Sequence, residues 1–97
     1  MTVTAERFED VSEPGDPHPF AYRGTVYRFS EDGRTLTARA YNDTPGQLSF
    51  LSWDDGRRIR RVPRPRLLRR AVAYARTALG ATDVRLLTRR GYVPLGR

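Results

Sequence analysis

Residues 20–41 read FAYRGTVYRFSEDGRTLTARAY, two β-prone runs on either side of the string Ser30-Glu31-Asp32-Gly33-Arg34. Valine, threonine, tyrosine and phenylalanine suit a pleated, half-buried surface. Asp-Gly between two such runs marks a hairpin, because glycine enters the left-handed backbone region without a Cβ clash. The same chemistry recurs at Trp53-Asp54-Asp55-Gly56-Arg57 with different flanks, so it is one turn solution used twice rather than a repeated unit. Between the two, Thr44-Pro45-Gly46-Gln47 puts proline at i+1 and glycine at i+2, as a type II turn requires. The pattern predicts an antiparallel four-stranded meander running from residue 20 to residue 62.

Three-residue loops at Glu31–Gly33 and Asp54–Gly56 would place each glycine at the last, left-handed loop position. That register sets Val26 opposite Ala38 and Tyr27 opposite Thr37. One face of the first hairpin then carries Tyr22, Gly24, Val26, Leu36, Ala38 and Ala40, small and apolar enough to pack under a helix. The other carries Arg23, Thr25, Tyr27, Phe29, Thr35, Thr37, Arg39 and Tyr41. In the second hairpin, Leu48, Phe50 and Ser52 share a face with Arg58, Arg60 and Val62, and Leu51 and Trp53 share the other with Arg57, Ile59 and Arg61.

Pro63 and Pro65 stop the fourth strand, and a helix opens at Pro65 or Arg66, where the first turn needs no proline N–H. Leu67, Leu68, Ala71, Val72, Tyr74, Ala75, Ala78 and Leu79 fall on one arc of a 100° wheel and Arg66, Arg69, Arg70 and Arg76 on the other, so the helix is amphipathic. Gly80 closes it. A last strand over Asp83–Thr88 returns beside the sheet, and residues 91–97 form a tail. The predicted fold is α+β, a small single domain in the order ββββαβ over residues 20–97. Residues 1–19, with Pro14, Pro17, Pro19 and Gly15-Asp16 and no sustained hydrophobic period, are expected to form an irregular acidic N-terminal arm.

The 97 residues include 18 arginines, no lysine, 11 carboxylates and no cysteine, for a net charge of +7. A chain this short supports one compact core and no large cofactor cavity. The absence of cysteine excludes disulfide scaffolds, thiol nucleophiles and cysteine-bound zinc. No membrane span is expected, because the longest stretch without an ionisable side chain, Thr44 to Trp53, is half the length a spanning helix needs. Met1–Asp10 has neither the basic nor the apolar region of a secretory signal, so a cytoplasmic location is expected.

Charge is strongly asymmetric, at −4 over residues 1–19, −1 over 20–56 and +12 over 57–97. The eight arginines Arg57, Arg58, Arg60, Arg61, Arg64, Arg66, Arg69 and Arg70 are the candidate nucleic-acid contacts, with the acidic arm as a competitor for the same surface.

The inventory for catalysis is thin. His18 stands between two prolines in the arm, there is no lysine for a Schiff base, and neither a nucleophile-elbow nor a phosphate-loop string is present. No enzymatic activity, cofactor or metal is expected. What remains is an aromatic sheet face, with Tyr27, Phe29, Arg39, Tyr41 and Trp53 as candidate interface residues. One helix covers one face of a sheet, so the other face calls for a partner. The sequence therefore favours a non-catalytic protein-interaction module that pairs with itself as a homodimer, the alternative being a basic nucleic-acid-binding module using residues 57–76.

Overall fold

The computed structural model describes residues 1–60 and 66–95, with the backbone alone at Arg60. The fold is α+β, a β-meander followed by a helix and further strand. Seven strands, β1 (Thr2–Val11), β2 (Ala21–Glu31), β3 (Arg34–Tyr41), β4 (Gln47–Asp54), β5 (Ile59–Arg60), β6 (Asp83–Thr88) and β7 (Gly91–Pro94), form one mixed sheet, with helix α1 spanning Arg66–Thr77. The order across the sheet is β1-β2-β3-β4-β6-β7, and β5 pairs with the far end of β4. Neighbours are antiparallel except β4 and β6, which run parallel from Gln47↔Asp83 to Phe50↔Leu86. A parallel pair needs a long crossover, and α1 lies in it. Among the described residues, no helix is long and apolar enough to cross a membrane.

The first hairpin turns in two residues rather than three. Glu31 pairs with Arg34, and both central residues have positive φ, 52° at Asp32 and 74° at Gly33. That is a type I′ turn, whose twist matches the flanking strands. Aspartate tolerates the left-handed region better than most residues, so the loop needs no third residue. The consequence for β2 is large, because a one-residue slip exchanges its two faces. Tyr27 pairs with Ala38 and Phe29 with Leu36, where the three-residue loop would have set Tyr27 against Thr37. Tyr27 and Phe29 therefore lie under α1, and Tyr22, Gly24 and Val26 lie on the opposite side of the sheet.

The second hairpin differs as well. Its last pairs are Trp53↔Arg60 and Asp54↔Ile59, leaving Asp55–Arg58 as the loop. Asp54 Oδ1 accepts from Gly56 N–H at 2.8 Å, and Asp55 Oδ1 accepts from the Arg57 and Arg58 N–H groups at 2.9 and 3.1 Å. A bulge further up β4 sets Ala38 against Phe50 but Thr37 against Ser52, so Leu51 is the extra residue. That brings Phe50 and Trp53, expected on opposite faces, onto the same one. Arg61, Val62, Pro63, Arg64 and Pro65 lie outside the described residues.

Residues 2–11, expected to be irregular, form the edge strand β1, paired with β2 without interruption from Thr2↔Ser30 to Val11↔Ala21. Residues 91–94, expected in a tail, form β7 against β6. The type II turn at 44–47 is present, with Gly46 at φ 82° and Gln47 N–H donating to the Thr44 carbonyl at 3.2 Å. Gly80, at φ 69°, closes α1 in the left-handed conformation, and beyond it Ala81 N–H donates back to the Ala75 carbonyl at 2.9 Å.

The core lies between α1 and one face of the sheet. Phe29, Leu36, Ala38, Phe50, Ala71 and Ala75 have no exposed surface, and Leu48, Trp53, Leu67, Leu68, Val84 and Leu86 are buried with them. Phe29 is the aromatic centre, tilted against Phe50 at 5.7 Å and edge-on to Tyr74 at 5.9 Å. Its removal would cost about 3–5 kcal/mol. The helix contributes leucines and alanines at i, i+4 and i+8, short enough for it to sit low over the sheet.

Candidate interaction surface

The side of the sheet away from α1 carries a row of rings. Phe8 of β1, Gly24 of β2 and Tyr41 of β3 are in register on that side. Gly24 has no side chain, and Phe8 reaches across it to meet Tyr41 edge-on, with centroids 5.5 Å apart. There is no room for more at Gly24, since a Cβ there would stand 2.0 Å from the Ala40 carbonyl oxygen and 3.0 Å from Phe8 Cε1. Tyr41 also meets Tyr22 at 6.0 Å, and Tyr22 meets Phe20 at 5.6 Å. The Arg39 guanidinium lies over the Phe8 ring, 4.8 Å from its centroid.

Four rings thus run contiguously from the edge strand to the start of β2, and among the described residues no helix covers them. Phe20 and Tyr22 are 41% and 48% exposed, a large share for aromatic side chains this close together. Val26 is buried on this side, at 7% exposure, beneath the neighbouring side chains. Along β1 and β2, Glu6 pairs with Arg28 on this side at 3.1 Å, and Glu9 with Arg23 on the α1 side at 3.2 Å. Hydrogen bonding to Glu9 raises the Arg23 guanidinium pKa above its ordinary value.

Of the five residues the sequence singled out for an interface, Arg39 and Tyr41 are on this open side. Phe29 and Trp53 are core residues, and Tyr27 is half-buried against the same core. Trp53 Nε1 is buried without a hydrogen-bond partner among the described residues. Phe8, Tyr22 and Phe20 join Arg39 and Tyr41 instead. Val3, Phe8 and Val11 are apolar groups that could lay the arm against the domain, but Val3 faces the helix side of β1 and Phe8 the other, so no apolar alternation marks the strand or assigns Phe8 to this face.

The candidate nucleic-acid residues are partly brought together. Arg66 and Arg70, from the first turns of α1, line a cleft of about 350 Å³ with Arg34, Trp53 and Leu67, and Glu31 and Asp32 line it too. Arg70 is hydrogen-bonded to Glu31, and that guanidinium holds the Glu31 carboxyl below the usual carboxylate range against a smaller upward push from desolvation. Arg57 and Arg58 are exposed in the β4–β5 turn, and Arg69 is exposed on α1. The Arg60 side chain, Arg61 and Arg64 lie outside what is described.

The acidic residues Asp10, Glu13 and Asp16 stand at the far end of β2 from this cleft. Their strand and ribbon hold them there, so they do not fold back over the arginines. Comparison of the chain with protein-family models, with curated proteins and with solved structures returned no match.

Proposed function

We propose that the protein is a non-catalytic interaction module that associates with a second copy of itself through the helix-free face of its sheet. The observation that carries this is the unbroken ring series Phe8–Tyr41–Tyr22–Phe20 on a face that no element among the described residues covers. Exposed apolar area gains about 25 cal/mol per Å² when buried, and an isologous pair buries the same patch twice. A standard interface takes about 800 Å² from each partner, a modest part of this chain's 6982 Å² of accessible surface.

Two features favour a protein partner over a nucleic acid on this face. Arg28, Arg39 and Arg85 share it with Glu6, Asp10 and Asp83, so it has no positive excess to hold a phosphate backbone. At the arginine-rich end, Glu31 and Asp32 stand in the same cleft as Arg34, Arg66 and Arg70. Sedimentation velocity from about 1 to 200 µM tests the proposal. The wild type is expected to pass from monomer to dimer, and Tyr41→Asp to remain a monomer with a native circular dichroism spectrum. A wild type monomeric throughout, or a folded Tyr41→Asp that dimerises as well as the wild type, would overturn it.

A further inference from the structure

We propose, on the reading that the helix-free face self-associates, that the two copies stack antiparallel. Their twofold axis crosses the strands at the Phe8–Gly24–Tyr41 row, and the acidic β1–β2 ribbon tip of each copy lies over the end of the other where its β2–β3 and β4–β5 turns meet.

The charge distribution along the strands sets this orientation. At the ribbon tip, Glu9, Asp10, Glu13 and Asp16 against Arg23 leave −3. Asp10 shares the open face with Tyr22, its partner in register, and both Asp10 and Glu13 are exposed with no ion pair among the described residues. At the other end, Arg34, Arg57, Arg58, Arg66, Arg69 and Arg70 against Glu31, Asp32, Asp54 and Asp55 leave +2. Three of the four carboxylates there are engaged within the fold: Asp54 and Asp55 accept backbone N–H groups of their own turn, and Glu31 holds Arg70, leaving Asp32 exposed in the β2–β3 turn. Arg57 and Arg58 make no ion pair among the described residues.

The two ends cannot neutralise each other within one molecule. Ala21 and Glu31 bound β2, and ten residue steps at about 3.3 Å separate them by about 33 Å, several Debye lengths at physiological salt. A second copy can supply the match. For two sheets stacked face to face, an axis running along the strands would set tip on tip, with Asp10 and Glu13 against their own copies and Arg57 and Arg58 against theirs. An axis across the strands keeps each element's place across the sheet and reverses its direction, so each tip comes over the other copy's β2–β3 turn and the β4–β5 turn that lies against it, a Cβ on Gly56 standing 3.6 Å from the Gly33 carbonyl oxygen.

The position of the axis follows from the strand lengths. Glu31 lies seven residues, about 23 Å, from Gly24. In the other direction Ala21 lies three residues away, and the ribbon continues into the 12–20 loop. That loop is closed by Ser12 N–H to the Phe20 carbonyl and Phe20 N–H to Ser12 Oγ, each at 2.9 Å. An axis at the Phe8–Gly24–Tyr41 row therefore brings the rings of both copies together at the centre and each tip toward the opposite turn.

Charge reversal separates this arrangement from simple repulsion between two chains of +7. Asp10→Arg with Glu13→Arg is expected to weaken dimerisation about tenfold or more, and Arg57→Glu with Arg58→Glu to do the same. The second pair lowers the net charge to +3, so repulsion between like-charged chains would predict a tighter dimer there. An equimolar mixture of the two double variants restores both contacts and is expected to sediment as a heterodimer near wild-type affinity. If Arg57→Glu with Arg58→Glu dimerises as well as the wild type, or the mixture gains nothing over its components, the antiparallel arrangement is overturned. In that outcome a monomeric Tyr41→Asp still upholds the face, whereas a monomeric wild type removes the face and the arrangement together. Should reversal unfold the chain, Asp10→Asn with Glu13→Gln and Arg57→Gln with Arg58→Gln give the same ordering at smaller amplitude.

Discussion

Replacing Gly24 with alanine adds one methyl group and distinguishes two accounts of β2. In an ordinary strand position the change is neutral or favourable, because alanine loses less conformational entropy than glycine by about 0.5–1 kcal/mol. Here the new Cβ would stand 2.0 Å from the Ala40 carbonyl oxygen and 3.0 Å from Phe8 Cε1. A carbon–oxygen contact that short must open by more than 1 Å, and the oxygen belongs to the β3 backbone, so β2 and β3 have to part locally. Overpacking of this kind costs about 1–3 kcal/mol, and displacing Phe8 from Tyr41 forfeits a further ~0.5–1.5 kcal/mol of ring interaction. A net loss of about 2–3 kcal/mol lowers the melting temperature of a domain this size by roughly 10–20 °C. Urea unfolding and thermal melts of Gly24→Ala beside the wild type measure it, and a variant as stable as the wild type or more stable would refute the packing of Phe8 across Gly24.

Further outcomes follow from the same geometry. Phe29→Ala should destabilise by about 3–5 kcal/mol, against well under 1 kcal/mol for Tyr92→Ala at a half-exposed site, as read by urea midpoints. Trp53→Phe should cost less than about 1.5 kcal/mol, because the lost volume is offset by removal of a buried donor that has no acceptor; a loss beyond about 3 kcal/mol would show that Nε1 is bonded. The Glu31 carboxyl is held below its ordinary range chiefly by its hydrogen bond to Arg70. Its contribution to stability is therefore full above the ordinary carboxylate range and fades as pH falls through the lowered value. Urea midpoints between neutral and acid pH should accordingly fall less steeply for Glu31→Gln than for the wild type, and parallel curves would count against the pairing.

Much of the fold is legible in the residues, and the places where it is not share a physical cause. Proline at 45 fixes φ, glycine at 46 and 80 marks positions at positive φ that other residues fill poorly, and the arc of leucines and alanines on α1 matches only the helical period; each element forms where those residues indicate. Asp32-Gly33 is more permissive: aspartate and glycine both enter the left-handed region, so a two-residue and a three-residue loop are each open to the string. The difference of one residue carries Phe29 from the surface to the centre of the core. At Leu51 the bulge has no sequence signal of its own, since its purpose is to aim both Phe50 and Trp53 at α1. β1 escapes recognition because an edge strand with Val3 on one side and Phe8 on the other has no period of two.

The same displacement governs the site. Tyr41 and Arg39 stay on the open face because β3 keeps the orientation expected of it. Tyr27 and Phe29 leave because β2 turns over, and that exchange brings Tyr22 and Gly24 to the open side. The face remains aromatic, but its members change, and the glycine that allows Phe8 to reach Tyr41 is recognisable only once three strands are in register.

The most direct measurement of the central claim is a concentration series of two-dimensional 1H–15N NMR spectra, from about 10 µM to about 1 mM. Self-association through the helix-free face is expected to move or broaden the amides of Phe8, Tyr22, Gly24, Arg39 and Tyr41 while those of α1 stay fixed. Spectra unchanged across the series, or changes confined to α1 and its cleft, would contradict it.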